Sequence, residues 1–134
     1  MAVEEQLNEE EQRVYDRQIR VWGVEAQRNL SRSKVVFVGP PTGVMAEMAK
    51  NLTLAGVGAV RVADGTPMAE CPAGNFLVVA EQKAREGLTA AAACVETLSA
   101  MNPMVDVATV PPPPATAEAL GEYTAVVATR LSAA

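Results

Sequence analysis

The sequence predicts an α/β fold built on a parallel sheet, and the prediction depends on the segment from Lys34 to Asp64. A continuous apolar run of mostly β-branched residues, Val35–Val38, is typical of a strand buried on both faces. A helical pattern follows it, and a second apolar strand, Ala59–Ala63, ends at Asp64. A strand–helix–strand unit of about thirty residues, with glycines at its first turn and an acid after its second strand, is typical of a nucleotide-binding half of a Rossmann-like fold.

The helix of this unit is predicted from the spacing of its apolar residues. Val44, Met48, Leu52 and Ala55 recur at the spacing that places residues on one face of a helix, and we expect that face to be buried. The glycines at positions 56 and 58 are expected to end the helix.

The loop between the first strand and the helix carries Gly39 and Gly43, the two candidate phosphate-binding glycines. A working loop presents backbone N–H groups to the phosphates, whereas Pro40 and Pro41 have none and each fixes φ. Met45 stands where a third glycine would let the helix approach the strand. The pattern therefore favours an ordinary connection with Thr42 as the helix N-cap over a competent phosphate cradle.

Composition excludes several classes of function. The chain has 134 residues and a net charge of −5, which argues against nucleic acid or an anionic membrane as its main partner. It has no histidine, and its two cysteines, Cys71 and Cys94, are far apart, so neither a histidine-based triad nor a metal-ligand spacing is present. No apolar run is long enough for a signal peptide or a membrane span, so we expect a soluble, intracellular protein.

The first thirty residues are predicted to form a helical arm. From Glu9 onward, Tyr15, Ile19, Trp22 and Ala26 recur on one face, and Trp22 is expected to pack against the domain or a partner. A basic stripe occupies the opposite face and consists of Arg13, Arg17 and Arg20. Such a stripe is usually a solvated face, but on an acidic chain it can also meet an anion. Gly23 is expected to kink or break the helix.

The remaining elements complete a single α/β unit of one layer of strands. We expect a helix from about Lys83 to Met101 with Leu88, Ala92, Val95 and Ser99 on one face, a third strand over Met104–Val110, a short helix over Ala115–Leu120 and a fourth strand over Tyr123–Thr129. The prolines at 111–114 predict an extended link. The domain organisation is thus an arm, 1–30, followed by a partial Rossmann-like domain, 31–134, which we expect to be truncated after the fourth strand.

Three segments carry a resemblance to a known family. They are YDRQIRVWGVEAQ (Tyr15–Gln27), AEMAKNL (Ala46–Leu52) and NPMVDV (Asn102–Val107). Together with the strand that ends at Gly39, they resemble the start of the ubiquitin-activating enzyme (ThiF-like) family over roughly residues 13–107. The resemblance is to the small, non-catalytic subunits of the SUMO-activating kind, with the analogous subunits for another ubiquitin-like modifier second.

The resemblance implies a heterodimer in which this chain is the regulatory subunit. The partner subunit would bind ATP and Mg²⁺, adenylate the C-terminal carboxylate of the modifier, and pass the modifier to its own cysteine. The arginine of the YDR segment, which in the family reaches across the dimer to the partner's ATP phosphates, corresponds to Arg17; Arg20 is the weaker candidate. The expected location is the nucleus and cytoplasm, without nucleic-acid or membrane partners.

Two departures from the family pattern bear on activity. Where catalytic members carry an arginine and a lysine that handle ATP phosphates, this chain has Gly74 and Ala90. Together with the prolines of the loop, these departures imply that the cofactor site at Gly39, Gly43 and Asp64 is degenerate. We therefore expect this chain alone to bind no cofactor and to be inactive. Asp64 fits the ribose-binding acid of the fold and an Asp-Gly turn equally well.

Two alternatives remain from the residues. One is a self-sufficient adenylyltransferase of the sulfur-carrier-activating kind (ThiF/MoeB-like), which needs the loop, arginine and lysine that are missing. The other is an NAD-dependent oxidoreductase, which needs an intact glycine loop. Cys71 and Cys94 are expected to be small packing residues rather than nucleophiles.

Overall fold

The computed structural model describes residues 6–131 and contains a four-stranded sheet in which every neighbouring pair is parallel. The strand order is β3-β2-β1-β4. The strands are β1 (Lys34–Val38), β2 (Ala59–Ala63), β3 (Asp106–Thr109) and β4 (Ala125–Ala128). The predicted α/β Rossmann-like fold is confirmed, although the third and fourth strands are shorter at both ends than expected.

The helices are connected to the sheet in the order that a parallel sheet requires. They are α1 (Glu9–Val14), α2 (Asp16–Ser31), α3 (Gly43–Ala55), α4 (Ala80–Lys83), α5 (Ala90–Met101) and α6 (Ala117–Leu120), with a 3₁₀ turn at Met68–Glu70. Helices α3 and α5 make successive crossovers in the same direction and therefore cover the same face of the sheet. The connection through the prolines and α6 returns the chain to the other side of β1.

The core lies between that face of the sheet and helices α3 and α5. Alternate residues of the two central strands point into it, namely Val35, Phe37, Val60 and Val62. The helices contribute mainly small side chains together with Met45 and Leu98, and all of these residues are almost completely buried. Small residues let α3 and α5 pack closely against each other, and α5 against β2 and β3.

Helix α3 buries a different face from the one that the sequence predicts. Val44 is 70% exposed and Met48 is 39% exposed, whereas the buried residues are Met45, Ala46, Ala49 and Thr53. The prediction was wrong because it selected the stripe with the larger apolar side chains. The inner side of α3 instead packs its alanines into the core next to α5.

The long helix predicted from Lys83 to Met101 is also interrupted. Residue Gly87 adopts φ 76°, and α5 begins only at Ala90 with Thr89 as its N-cap. The buried face is formed by Ala90, Ala91, Ala93, Cys94 and Leu98 rather than by the predicted set. An alanine-rich helix has apolar residues on several of its faces, so the periodicity of the sequence does not indicate which face is buried.

The predicted helical arm consists of three helical pieces. An Asn8 capping box begins α1, Tyr15 separates α1 from α2, and Gly23 (φ 87°, ψ 163°) breaks α2 as expected. The first five residues of the predicted arm, and the last three residues of the chain, lie outside the described residues. No helix within residues 6–131 is both long and apolar enough to cross a bilayer.

Tyr15 is the buried anchor of the arm. It is 3% exposed, and its ring packs on Gly56, the left-handed residue that ends α3. A Cβ at Gly56 would lie 2.5 Å from Cζ of Tyr15, so the close approach requires glycine there. The arm is therefore attached at the C-terminal end of α3.

Within this chain, Trp22 is less buried than packing against the domain would make it, and its packing against a partner stays a prediction. Its side chain is 43% exposed, and within the chain its indole N–H donates to Oε1 of Gln27 at 3.0 Å. Gln27 is completely buried and donates through Nε2 to the carbonyl of Ala55 at 2.8 Å. The second attachment of the arm is thus a polar relay rather than a buried indole.

We predict that Tyr15→Ala destabilises the chain by about 3–5 kcal/mol, because it removes a buried aromatic ring. Trp22→Ala is the matched comparison and should cost only about 1–2 kcal/mol, since it loses a half-exposed ring and one hydrogen bond. Urea unfolding followed by circular dichroism measures both. A loss for Trp22→Ala that equals the loss for Tyr15→Ala would contradict this assignment of the anchor.

Candidate functional site

The glycine loop after β1 is closed by the end of β4. Gly39 adopts φ 106°, and a Cβ there would overlap the carbonyl oxygen of Thr129. The Thr129 hydroxyl donates to the carbonyl of Pro40 at 2.8 Å, and its N–H donates to the carbonyl of Val38 at 2.8 Å. The first glycine therefore serves a contact between two strands of this chain.

The proline pair is held in place by protein contacts. Pro41 is buried, and its carbonyl accepts a hydrogen bond from Nδ2 of Asn75 at 2.8 Å. The N–H of Thr42 donates to the carbonyl of Pro40 at 2.9 Å, and Oγ1 of Thr42 accepts from the N–H of Met45 at 3.2 Å. Thr42 is thus the N-cap of α3, as the sequence predicts, and these N–H groups are used inside the protein.

The second glycine of the loop faces the segment that should carry the family's arginine. A Cβ at Gly43 would lie 2.9 Å from the carbonyl oxygen of Gly74. Gly74 itself adopts φ 89° on an exposed turn, and Ala90 is completely buried with its N–H donating to the carbonyl of Thr66 at 3.3 Å. Neither position offers a charged group to a phosphate.

Asp64 lies at the end of β2, where its carboxylate makes a local turn. Its Oδ2 accepts from the N–H of Thr66 at 2.8 Å. The structure therefore contains the turn that the Asp-Gly sequence predicts, while a role of Asp64 in ribose binding stays a prediction.

The residues of this loop do not fit the phosphates of a nucleotide. The two prolines lack N–H groups, three neighbouring N–H groups are bonded internally, and backbone atoms of Thr129 and Gly74 crowd the two glycines. A competent loop keeps these donors free and this space open.

The basic stripe of the arm lies on the surface. Arg17 is exposed in the first turn of α2, and no acidic side chain within residues 6–131 lies at ion-pair distance from it. Arg20 instead pairs with Asp16 at 3.1 Å, one turn earlier on the same helix. Such an exposed pair stabilises a helix by only about 0.3–0.5 kcal/mol, but it does occupy the Arg20 guanidinium.

The arm and the glycine loop lie at opposite ends of α3. The loop precedes residue 43, whereas both attachments of the arm are at Ala55 and Gly56. With 13 residues and a rise of 1.5 Å per residue, α3 separates these two points by roughly 18 Å. The stripe is therefore placed away from this chain's own loop.

Neither cysteine has the environment of an activated nucleophile. Burial raises the pKa of the Cys94 thiol to about 11, although a hydrogen bond from Nδ2 of Asn75 opposes the shift. Burial also raises the pKa of Cys71. Both thiols are therefore protonated near neutral pH. In the described part of the chain, no group of three or more His, Cys, Asp or Glu side chains could hold a metal ion.

A cavity of about 560 Å³ lies beside the loop that follows β2. Its lining consists of Met68, Ala69, Cys71–Asn75, Val78 and Lys83. None of the predicted cofactor-binding residues, Gly39, Gly43 or Asp64, lines this cavity. It borders the glycine loop through Gly74 and Asn75, which contact Gly43 and Pro41.

Sequence reasoning missed the residues that hold the arm and close the loop. Asn102 lies in a segment that the resemblance singled out without a role, and Asn75 and Thr129 carried no signal. Asn102 and Thr129 directly follow a helix and a strand, and Asn75 lies in the loop between the 3₁₀ turn and α4; polar side chains that bond backbone groups are common at such positions. Their partners are distant in the chain, so only the folded structure identifies them.

Comparison with known proteins gives closely related sequences. The chain is 45% identical over 104 residues to SUMO-activating enzyme subunit 1B-1 of Arabidopsis thaliana, which is 77% of this chain and 32% of that protein. It is 44% identical over 102 residues to SUMO-activating enzyme subunit 1 of Homo sapiens, 75% of this chain and 28% of that protein. The chain thus spans about a third of the length of the curated relatives it matches. No family model matches it.

Solved structures share the fold at lower identity. The tRNA N6-threonylcarbamoyladenosine dehydratase TcdA of E. coli, in complex with ATP, superposes with a TM-score of 0.73 at 20% identity over 93% of this chain and 52% of that one. PaaA superposes with a TM-score of 0.71 at 22% identity over 92% of this chain and 42% of that one. These similarities show the fold alone. On the sequence relationship, the chain is a homologue of SUMO-activating enzyme subunit 1 over the 102–104 residues that match.

Proposed function

We propose that this chain acts as the regulatory, non-catalytic subunit of a heterodimeric activating enzyme for a ubiquitin-like modifier, with SUMO as the modifier. The observation that carries the proposal is the 45% identity to SUMO-activating enzyme subunit 1B-1 over 104 residues. The glycine loop supports it, because a subunit that leaves ATP to its partner has no need of free N–H donors after β1.

The partner in this proposal is the catalytic, thioester-forming subunit. ATP and Mg²⁺ bind there and supply the adenylation of the modifier's C-terminal carboxylate, while this chain binds neither. Within cells the complex works in the sumoylation pathway of the nucleus and cytoplasm.

Arg17 is the residue proposed to act in trans on the partner's ATP. It is exposed, it has no acidic partner within residues 6–131, and the arm that carries it is attached about one helix length from this chain's own loop. A guanidinium can stabilise negative charge on phosphates with a planar, multidentate geometry that lysine lacks. Arg20 is the weaker candidate, because Asp16 already pairs with it.

A self-sufficient adenylyltransferase is the second candidate. The fold that it needs is present, because the chain superposes on TcdA in complex with ATP with a TM-score of 0.73. Against it stand the prolines of the loop and the absence of a charged side chain at Gly74 and Ala90. Nucleotide binding by this chain alone separates the two candidates.

We predict that the isolated chain does not bind ATP with a dissociation constant below about 0.1 mM, which corresponds to roughly −5.5 kcal/mol. The physical reason is the shortage of free N–H donors and cations around Gly39 and Gly43. Isothermal titration calorimetry with Mg-ATP measures it, with TcdA as the positive control. Binding tighter than this limit would favour the second candidate.

We predict that Arg17→Ala, in a complex with the catalytic subunit, slows modifier-dependent ATP–pyrophosphate exchange by about a hundredfold, since one preorganised charge donor typically contributes about 3 kcal/mol. Arg13→Ala removes another exposed arginine of the same stripe and is the matched control; it should change the rate little. Size-exclusion chromatography checks assembly. A loss of less than about threefold with the complex intact would mean that Arg17 is one charge on a solvated helix face.

A further inference from the structure

Asn102 joins three elements at the base of the arm. Its Nδ2 donates to the hydroxyl of Tyr15 at 2.8 Å and to the carbonyl of Thr53 in α3 at 2.9 Å. Its Oδ1 accepts from the N–H of Met104 at 3.2 Å, and its own N–H ends α5 by donating to the carbonyl of Leu98. The side chain is 6% exposed, so these bonds are made away from water.

Tyr15 connects this cluster to the basic stripe. It lies at the junction of α1 and α2. Its N–H donates to the carbonyl of Glu11, and its carbonyl accepts the first hydrogen bond of α2, from the N–H of Ile19. Arg17 is only two residues further on, in the first turn of that helix. The direction in which α2 leaves the domain, and therefore where Arg17 stands, depends on how Tyr15 is held.

Two contacts hold Tyr15, and they constrain different degrees of freedom. The ring rests on Gly56, which sets how closely the arm approaches α3. The hydroxyl meets Nδ2 of Asn102, which fixes the ring along its length and thus sets the register of the arm. Ring packing alone is non-directional, whereas a buried hydrogen bond is directional.

We propose that Tyr15 and Asn102 form a positioning pair, which holds the arm so that Arg17 reaches the partner's ATP. The inference rests on the proposed function and adds to it the residues that preorganise the arginine. Neither residue touches the nucleotide. Misplacement of a charge by about 1 Å is costly to a rate even when the charge itself is retained.

The test is a double-mutant cycle in the complex with the catalytic subunit. Tyr15→Phe removes the hydroxyl and keeps the ring on Gly56, and it is combined with Arg17→Ala. ATP–pyrophosphate exchange is measured per assembled complex after size-exclusion chromatography, and thermal unfolding is recorded beside it. A role confined to stability lowers the melting temperature and the yield of complex, but it leaves the exchange rate per complex unchanged.

We expect Tyr15→Phe alone to slow ATP–pyrophosphate exchange per complex about threefold to tenfold. In the Arg17→Ala background, the same substitution should slow exchange further by less than about twofold, because the effects of residues that act through one another are not additive. Thr97→Val is the matched control. It removes hydrogen bonds outside the arm, from the Thr97 hydroxyl to the carbonyls of Leu77 and Ala93, and it should leave the rate per complex unchanged.

Each result decides the inference. If Arg17→Ala slows exchange and Tyr15→Phe does not, the pair is structural only and the proposed function stands. If Arg17→Ala itself leaves the exchange rate unchanged, both the role of the arginine and the positioning role of the pair are wrong. Asn102→Ala breaks the same hydrogen bond from the other side if Tyr15→Phe does not assemble. If neither variant assembles, the pair is a folding requirement and the inference is overturned.

Discussion

The contact between the Tyr15 ring and Gly56 is the constraint on which the arrangement of this molecule depends. Position 56 requires glycine for two reasons. It ends α3 in the left-handed conformation, and a Cβ there would overlap the Tyr15 ring. Two more hydrogen bonds are made at this end of α3. The carbonyl of Ala55 accepts from Gln27, and the carbonyl of Thr53 accepts from Asn102. One helix terminus thereby joins the arm, the helical layer and the end of α5.

The opposite end of α3 has a different physical character. There, Gly39 and Gly43 lie against backbone atoms of Thr129 and Gly74, and the two prolines present their carbonyls to Thr129 and Asn75. A loop position that serves phosphates elsewhere in this fold is here part of the packing between β1, β4 and the following loop. The carbonyls of both prolines and the N–H of Thr42 are bonded within the protein, so the loop is a connection held by its own domain rather than an open cradle.

These two ends of α3 are separated by the length of the helix, so the proposed role of Arg17 toward a partner's nucleotide does not depend on this chain's own glycine loop. The acidic net charge of −5 makes the exposed arginines of the arm a local exception. Asp16 offsets one of them through its ion pair with Arg20, and Arg17 is left to the surface of the described chain. Charge that is not used within a fold is available to a partner.

The sequence by itself determined the α/β class, the two central strands, the break at Gly23, the Thr42 cap and the loss of N–H donors at the prolines, because each of these follows from local chemistry. It did not determine which face of α3 or α5 is buried, since alanine-rich helices satisfy several periodicities and only the packing of the two helices into the core selects one. Tertiary structure also decided that Tyr15, not Trp22, is the anchor. The partners of Tyr15 at Gly56 and Asn102 are 41 and 87 residues away, and no local pattern encodes a contact at that distance.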